Sequence, residues 1–266
     1  MPEILQYGFM QRALMAGMTV GIIAPLIGLF MVPRRLSLIA DALAHVALAG
    51  VALGLLAGTA PLAGALAVTV VGAIAIERLR GAGRFSGDAA LALFLSGGLA
   101  VAVVAIGLAG GFSIDLFGYL FGAITTVAPR DLWVILPLGL LVLGTVLFLY
   151  KELFAITFDE ESARVQGVPV DALNLLLTVL VAVTVVAAMR IVGALLTGAL
   201  IVIPAVTALR VAPSFRAALW VAIACSLTAT VAGITIAYYL NLPASGAIVL
   251  SAIALLAGSS LISRRR

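Results

Sequence analysis

The stretch LSLIADALAHVALAGVALG, residues 36–54, indicates the fold class of this chain. It is apolar along almost its whole length, and as a helix it is long enough to cross a hydrocarbon layer of about 30 Å. It nevertheless contains Asp41 and His45, and His45 is the only histidine in the sequence. The stretch therefore predicts a membrane-spanning helix that carries two ionisable side chains.

The composition extends this interpretation to the whole chain. The 266 residues are 64% hydrophobic and only 10% charged, with a mean hydropathy of +1.31, whereas soluble domains are about a quarter charged. The apolar runs are continuous rather than alternating, which favours helices over a β-barrel. We therefore expect an all-α, polytopic integral membrane protein, with residues 1–266 forming one transmembrane domain. This excludes a soluble enzyme.

Nine apolar runs are long enough to be spans. The first is too long for a signal-peptide core and is expected to be retained. The stretch 111–130, which is aromatic and glycine-rich, is expected along the interface or partly inside the membrane. The expected spans are about 10–32, 36–57, 61–78, 89–110, 131–150, 171–189, 191–209, 217–239 and 244–262.

The basic residues predict the orientation. With the N-terminus outside and the C-terminus in the cytoplasm, twelve of the 15 basic residues fall on the cytoplasmic side, as the positive-inside rule requires. The same rule explains the net charge of +4 without nucleic acid as a partner. The cytoplasmic set is Arg34, Arg35, Arg78, Arg80, Arg84, Lys151, Arg164, Arg210, Arg216, Arg264, Arg265 and Arg266.

Asp41 and His45 are four residues apart, so they lie on one face of a helix. Ser37, Ala49 and Ala52 continue this face with small side chains. A carboxylate and an imidazole suit a first-row divalent metal ion; a hydrogen-bonded structural pair and a proton relay are the alternatives. Two donors make only a weak site, because a tight zinc site uses four. A symmetric homodimer with this pair near its axis would supply four.

Small residues and prolines mark helix packing in several spans. The GxxxG spacings at Gly17 and Gly21, and at Gly50, Gly54 and Gly58, predict close helix contacts. Proline inside a span removes a backbone hydrogen bond and can kink the helix. Such prolines are Pro25, Pro137 and Pro204.

The longest polar stretch predicted on the cytoplasmic side is KELFAITFDEESARVQGVPV, residues 151–170. Acidic residues from Asp159 onwards favour the start of a short helix, and Gly167 with Pro169 end it. A solvated loop is the simpler explanation. A short helix between spans is also how a membrane subunit would dock a soluble partner.

Three blocks of the sequence resemble permease subunits of metal-ion ABC importers of the zinc, manganese and iron class, the ABC-3 family. The blocks are RRLSLIADALAHVALAGVALG, FDEESARVQGVPV and RIVGALLTGALIVIPAVTALR, and their order and spacing agree over nearly the whole chain. The resemblance implies a permease that works as a dimer in the bacterial cytoplasmic (inner) membrane. Its expected partners are two cytosolic ATPase subunits and an extracytoplasmic metal-binding protein.

The resemblance also assigns roles to residues. Asp41 and His45 would lie on the metal pathway, and a coupling segment at about 152–170 would contact the ATPase. Its coupling residues would be Phe158, Asp159, Glu160, Ala163 and Gly167, and Gly193 with Pro204 would serve gating or helix kinking. The sequence has no Walker motif, which agrees with ATP hydrolysis in a partner. The chain is not expected to be an enzyme or to hold a permanent cofactor.

The metal itself is expected to be zinc. The segment HVALAG is similar to the zinc-type pattern, whereas manganese-type relatives often place a proline after the histidine. Imidazole also suits zinc better than it suits manganese. Manganese or iron transport by the same importer class is the alternative, and a secondary cation transporter or channel is the second. An intramembrane metalloprotease of the HExxH type is excluded, because it needs two histidines.

Overall fold

The computed structural model describes residues 6–81, 87–109, 114–123, 125 and 127–263. The described parts of the chain are helical, without strands, and eight helices are long and apolar enough to cross a membrane; Ala244–Ser260 is a shorter apolar helix. The helices are α1 (Gly8–Met31), α2 (Leu38–Leu56), α3 (Pro61–Gly81), α4 (Gly87–Leu108), α5 (Ile114–Phe121), α6 (Pro129–Phe148), α7 (Tyr150–Phe158), α8 (Glu160–Val165), α9 (Val170–Met189), α10 (Thr197–Val211), α11 (Phe215–Leu240) and α12 (Ala244–Ser263).

A helix lies at each of the nine predicted spans, but only eight are long and apolar enough to cross a membrane, and the last is shorter. The prediction of an all-α polytopic membrane protein is confirmed. The most buried are α1, α2 and α9, each with 72% of its spanning window covered by the rest of the protein. By contrast, α6 and α11 present large apolar side chains outwards, including Trp133, Leu140 and Trp220. Such side chains suit contact with lipid. The orientation predicted from the basic residues stays a prediction.

The predicted glycine contacts are formed, with one exception. A Cβ on Gly50 would lie 2.7 Å from the backbone of Ala65, so α2 and α3 pack with little between them. Gly17 and Gly21 likewise face α11. The expectation for Gly58 was wrong: it lies beyond the end of α2 with nothing within 4 Å of the Cβ position. The predicted seam therefore ends one turn earlier than the glycine spacing suggests.

Two connections differ from the sequence expectation. The polar stretch after α6 is mostly helical, because α7 starts only one residue after α6 ends. The seventh span begins late: after Met189 the chain turns, forms a 3-10 turn at Ala194–Leu196 and enters α10 at Thr197. This α9–α10 turn is buried from Arg190 to Ala194. It lies under the end of α5, where the Ala123 N–H donates to the Arg190 carbonyl at 3.4 Å.

Candidate metal pathway and coupling segment

Asp41 and His45 lie on one face of α2, as their spacing predicts. Both are half-buried, whereas every residue from 46 to 52 is buried. Ala49 and Ala52, which continue this face with small side chains, are only 3% and 1% exposed. Neighbouring helices cover this side of α2 beyond His45. The accessible part of the face is therefore confined to the first two turns, next to the Arg34–Arg35 end.

Gly198 provides the surface on which the Asp41 carboxylate lies. It is in the first turn of α10, and a Cβ at this position would overlap the Asp41 Oδ1 atom. Only a glycine leaves the carboxylate its place. The sequence contains this glycine in RIVGALLTGAL, but nothing in the spacing of the residues indicates that α10 meets α2 here.

Gly98, on α4, lies close to the α2 backbone at His45. A Cβ on Gly98 would lie 2.9 Å from the backbone carbon of His45 and 2.9 Å from the nitrogen of Val46. The adjacent Gly97 has nothing within 4 Å of its Cβ position. Helix α4 therefore packs directly on the α2 backbone at the histidine through one glycine of the pair.

These glycines allow a matched test of the site. Replacing Gly198 by alanine displaces a flexible carboxylate, so the fold is expected to persist while the donor moves. We expect metal uptake to fall about tenfold, the effect of about 1.4 kcal/mol of lost ion binding. Gly246→Ala is the control, because its Cβ position is open. Uptake is measured with radioactive zinc in cells. Equal uptake by the two variants would show that Gly198 has no role in the metal pathway.

Gly193 shapes the turn that carries α10 to Asp41. Its φ is +79°, a region that favours glycine, and a Cβ would strike the backbone of residues 120–122. The Thr197 hydroxyl donates to the Gly193 carbonyl at 2.6 Å and secures the turn to the start of α10. Pro204 lies buried inside α10. The gating role assigned to Gly193 and Pro204 stays a prediction.

A buried ion pair holds the same turn from the other side. The Arg190 Nε donates to Asp131 Oδ2 at 3.0 Å, and the two side chains are 7% and 6% exposed. The Arg190 guanidinium also lies 4.6 Å from the centre of the Tyr119 ring. Asp131 Oδ2 accepts in addition from the Ala128 N–H at 2.9 Å, at the start of α6. The sequence shows that both charged residues lie at span ends, but it does not indicate that they contact each other.

The coupling segment contains the predicted short helix, α8. Asp159 caps it, accepting from the Ser162 N–H at 2.9 Å and the Ser162 hydroxyl at 2.6 Å. These two hydrogen bonds lower the pKa of the Asp159 carboxyl. Gly167 ends the segment with a φ of +82°. Ala163 is the buried residue of α8, whereas Phe158, the last residue of α7, is 58% exposed.

Removing the cap is expected to loosen α8. In Asp159→Ala the first-turn N–H groups lose their acceptor, so backbone amides of α8 should exchange several-fold faster. Asp159→Asn retains an acceptor and serves as the control. Because the pKa is lowered on folding, the carboxylate's stabilisation is complete above its ordinary pKa and disappears as the pH falls through the lowered value. Hydrogen exchange at neutral pH should therefore show no pH dependence of α8 protection beyond the intrinsic rate.

Glu160 connects α8 to the turn between α1 and α2. Its carboxylate accepts from Arg34 Nη2 at 3.2 Å and from the Asn174 Nδ2 at 2.8 Å. Arg34 Nη2 also donates to the Asn174 Oδ1 at 2.8 Å. This Arg34–Glu160–Asn174 triad joins three segments that are far apart in the sequence: the α1–α2 turn, the coupling segment and α9.

The donor inventory around Asp41 is small. No group of three or more His, Cys, Asp or Glu side chains able to hold a metal ion occurs among the residues that the structure describes. One chain therefore offers the carboxylate of Asp41 and the imidazole of His45 as its candidate donors.

The chain is similar to membrane subunits of metal transport systems along most of its length. The chain is 32% identical over 255 residues to the manganese transport system membrane protein MntC of Halalkalibacterium halodurans, covering 96% of this chain and 87% of that protein. It is 31% identical over 255 residues to the high-affinity zinc uptake system membrane protein ZnuB of Haemophilus influenzae, covering 96% and 97%. Both relatives are matched along nearly their full length.

A solved structure and a family model agree with these relatives. The structure of PsaBC from Streptococcus pneumoniae in complex with Fab contains a chain that superposes with a TM-score of 0.87 at 34% sequence identity, covering 96% of this chain and 92% of that one. The model of the ABC 3 transport family matches residues 6–263. The chain therefore belongs to the ABC 3 transport family and is a membrane permease of the metal ABC importers.

Proposed function

We propose that this permease carries zinc into the cytoplasm and that Asp41 and His45 are the residues on which the ion rests during transit. The supporting observation is the placement of the two side chains on one half-buried face of α2, where Gly198 leaves room for the Asp41 carboxylate. A buried ionisable residue within a span usually marks an ion pathway. One chain alone would bind the ion only weakly, because it contributes two donors where a tight zinc site uses four.

A second copy of the chain completes the site. Two Asp41–His45 pairs around a symmetry axis provide two carboxylates and two imidazoles, a donor set that suits a tetrahedral metal ion. The pair must then face its symmetry mate. The side of α2 that stays open in one chain, at Ser37, Asp41 and His45, is the side that the partner would cover.

Cross-linking tests this dimer. In a Cys225→Ser background, Ser37→Cys is expected to form a covalent dimer with a short thiol cross-linker in native membranes, because the two copies of α2 face each other. Leu140→Cys on the outward face of α6 is the control, with that side chain 71% exposed. A cross-link at residue 140 without one at residue 37 would place the dimer axis elsewhere.

ATP drives the transport in this proposal. The coupling segment, with Phe158 exposed and Ala163 buried within α8, is the part of the chain that contacts a cytosolic ATPase. Two ATPase subunits rock the two permeases between outward-open and inward-open states. An extracytoplasmic metal-binding protein delivers the ion. The permease catalyses no covalent step, and its place is the bacterial cytoplasmic membrane with the C-terminus inside.

Zinc is favoured over manganese by the donors. Imidazole nitrogen suits zinc, whereas oxygen donors suit manganese, and HVALAG is similar to the zinc-type pattern. The relatives named above carry manganese and zinc in their names at nearly equal identity, 32% and 31%. Manganese transport by the same pathway is accordingly the second candidate.

Metal uptake decides between them. The permease, its ATPase and its binding protein are expressed in cells without their own high-affinity zinc and manganese importers. We expect ATP-dependent uptake of radioactive zinc, with a manganese uptake that is much slower at equal concentration. Faster manganese uptake would assign the second candidate. Uptake that continues after ATP depletion would instead indicate a secondary transporter or channel.

A further inference from the structure

A groove runs along the outward side of α1 between α6 and α11. Its volume is 570 Å³, and almost all of its wall is apolar. The floor and the two walls come from different helices and lie inside the spanning segments. The residues that define it are Ile22, Leu26, Leu143, Leu147, Leu219 and Trp220.

The groove continues into a second cavity at the end where α7 and α11 begin. This cavity has a volume of 370 Å³ and shares Tyr150 and Arg216 with the groove. Ring contacts shape its wall, with the Phe215 ring centre 6.2 Å from that of Tyr150 and 5.2 Å from that of Phe154. The two cavities therefore form one channel-like depression with an apolar part and a polar end.

The polar end is positively charged. Lys151 and Arg216 both line it, and Ser214 adds a hydroxyl. Within the described part of the chain, neither Lys151 nor Arg216 forms an ion pair, and no residue that lines either cavity is acidic. The depression thus places two uncompensated cations below an apolar slot.

We propose that this depression binds an anionic phospholipid, with one acyl chain in the groove and the phosphate between Lys151 and Arg216. The groove opens on the lipid-facing side of spanning helices, so hydrocarbon is its natural occupant. The cations select a negative headgroup, as basic pockets between membrane helices do. Trp220 and Tyr150 have the amphipathic rings typical of the membrane interface.

This lipid site is separate from the metal pathway. It uses α1, α6, α7 and α11, whereas Asp41 and His45 lie on α2 and are flanked by α10 and α4. The proposal does not depend on the metal carried. Only the choice of leaflet rests on the proposed function, because the orientation proposed there places this site in the cytoplasmic leaflet.

The two tryptophans of the chain provide the test. Trp220 lines the groove and is 75% exposed, whereas Trp133 is 82% exposed on α6 and lines neither cavity. The full-length chain is placed in nanodiscs as Trp133→Phe or as Trp220→Phe, leaving one reporter each time. Quenching is measured with brominated phosphatidylglycerol and brominated phosphatidylcholine at equal mole fraction.

Trp220 should distinguish the two lipids and Trp133 should not. We expect phosphatidylglycerol to be preferred at Trp220 about fivefold or more, the selectivity that basic side chains give for an anionic headgroup. In the same nanodiscs, Trp133 should be quenched equally by both. Equal quenching of Trp220 by the two lipids, or the same preference at both tryptophans, would overturn the proposal.

Charge removal then locates the headgroup. In the Trp133→Phe background, Lys151→Gln with Arg216→Gln should abolish the preference at Trp220. The control, Arg78→Gln with Arg210→Gln, removes the same charge from predicted cytoplasmic positions outside the depression and should keep it. A preference that survives the first pair would show that Lys151 and Arg216 do not hold the headgroup. Equal loss with both pairs would show that the overall charge of the protein attracts the lipid, and either result would overturn the proposal.

Discussion

Replacing Asp41 by asparagine is expected to reduce zinc uptake about 10- to 100-fold. Loss of a residue that only hydrogen-bonds to a metal ligand already has an effect of this size. The amide keeps the size of the side chain against Gly198 but loses the charge that attracts the ion. His45→Gln should have a similar effect, since the amide is a much weaker donor for zinc than imidazole. The double variant should be little worse than either single one, because both act on the same ion.

The control for this experiment is Asp88→Asn. Asp88 is an exposed carboxylate near the start of α4, so its loss removes the same charge without touching the open face of α2. Membrane abundance is measured for every variant by immunoblot. Normal uptake by Asp41→Asn and His45→Gln at normal abundance would make the pair structural and would move the pathway elsewhere.

Replacing Arg190 by methionine is expected to destabilise the protein by about 3–5 kcal/mol, because the Asp131 carboxylate stays buried without its cation. The two side chains are only 7% and 6% exposed. The turn that carries Gly193 and the start of α10 should loosen first. The measurement is the loss of folded protein on heating in detergent, followed by tryptophan fluorescence.

The double variant Arg190→Met with Asp131→Leu distinguishes the charge from the packing. It removes both charges, so it should recover much of the stability that the single variant loses, giving a coupling energy in a double-mutant cycle. Arg164→Met is the comparison, since its ion pair with Asp171 at 2.7 Å is exposed and exposed pairs contribute little. Equal effects of Arg190→Met and Arg164→Met would contradict the assignment.

Much of the fold follows from hydropathy alone. Each predicted span is a helix because a long apolar segment in a bilayer must satisfy its own backbone hydrogen bonds. The shared face of Asp41 and His45 follows equally directly from helix geometry. The early end of the glycine seam at Gly58 and the direct passage from α6 into α7 did not follow, because neighbouring polar residues and glycines occur in loops and helices alike.

Contacts between distant segments could not be predicted from the sequence. Gly198 against Asp41, Gly98 against His45 and Arg190 against Asp131 each join helices far apart in the chain. Hydropathy predicts which residues lie in the membrane but not which helices become neighbours. The candidate donors could therefore be named from the sequence, whereas the glycines that pack beside them could not.

The Arg34–Glu160–Asn174 triad has a thermodynamic consequence for the importer. It bonds the coupling segment to the turn that leads directly into α2, on which Asp41 lies. If an ATPase that grips α8 alters the affinity of α2 for the ion, linkage requires the ion to alter the grip of the ATPase by the same factor. An ion bound on α2 would thus change the affinity of α8 for the ATPase, and release of the ion would reverse that change.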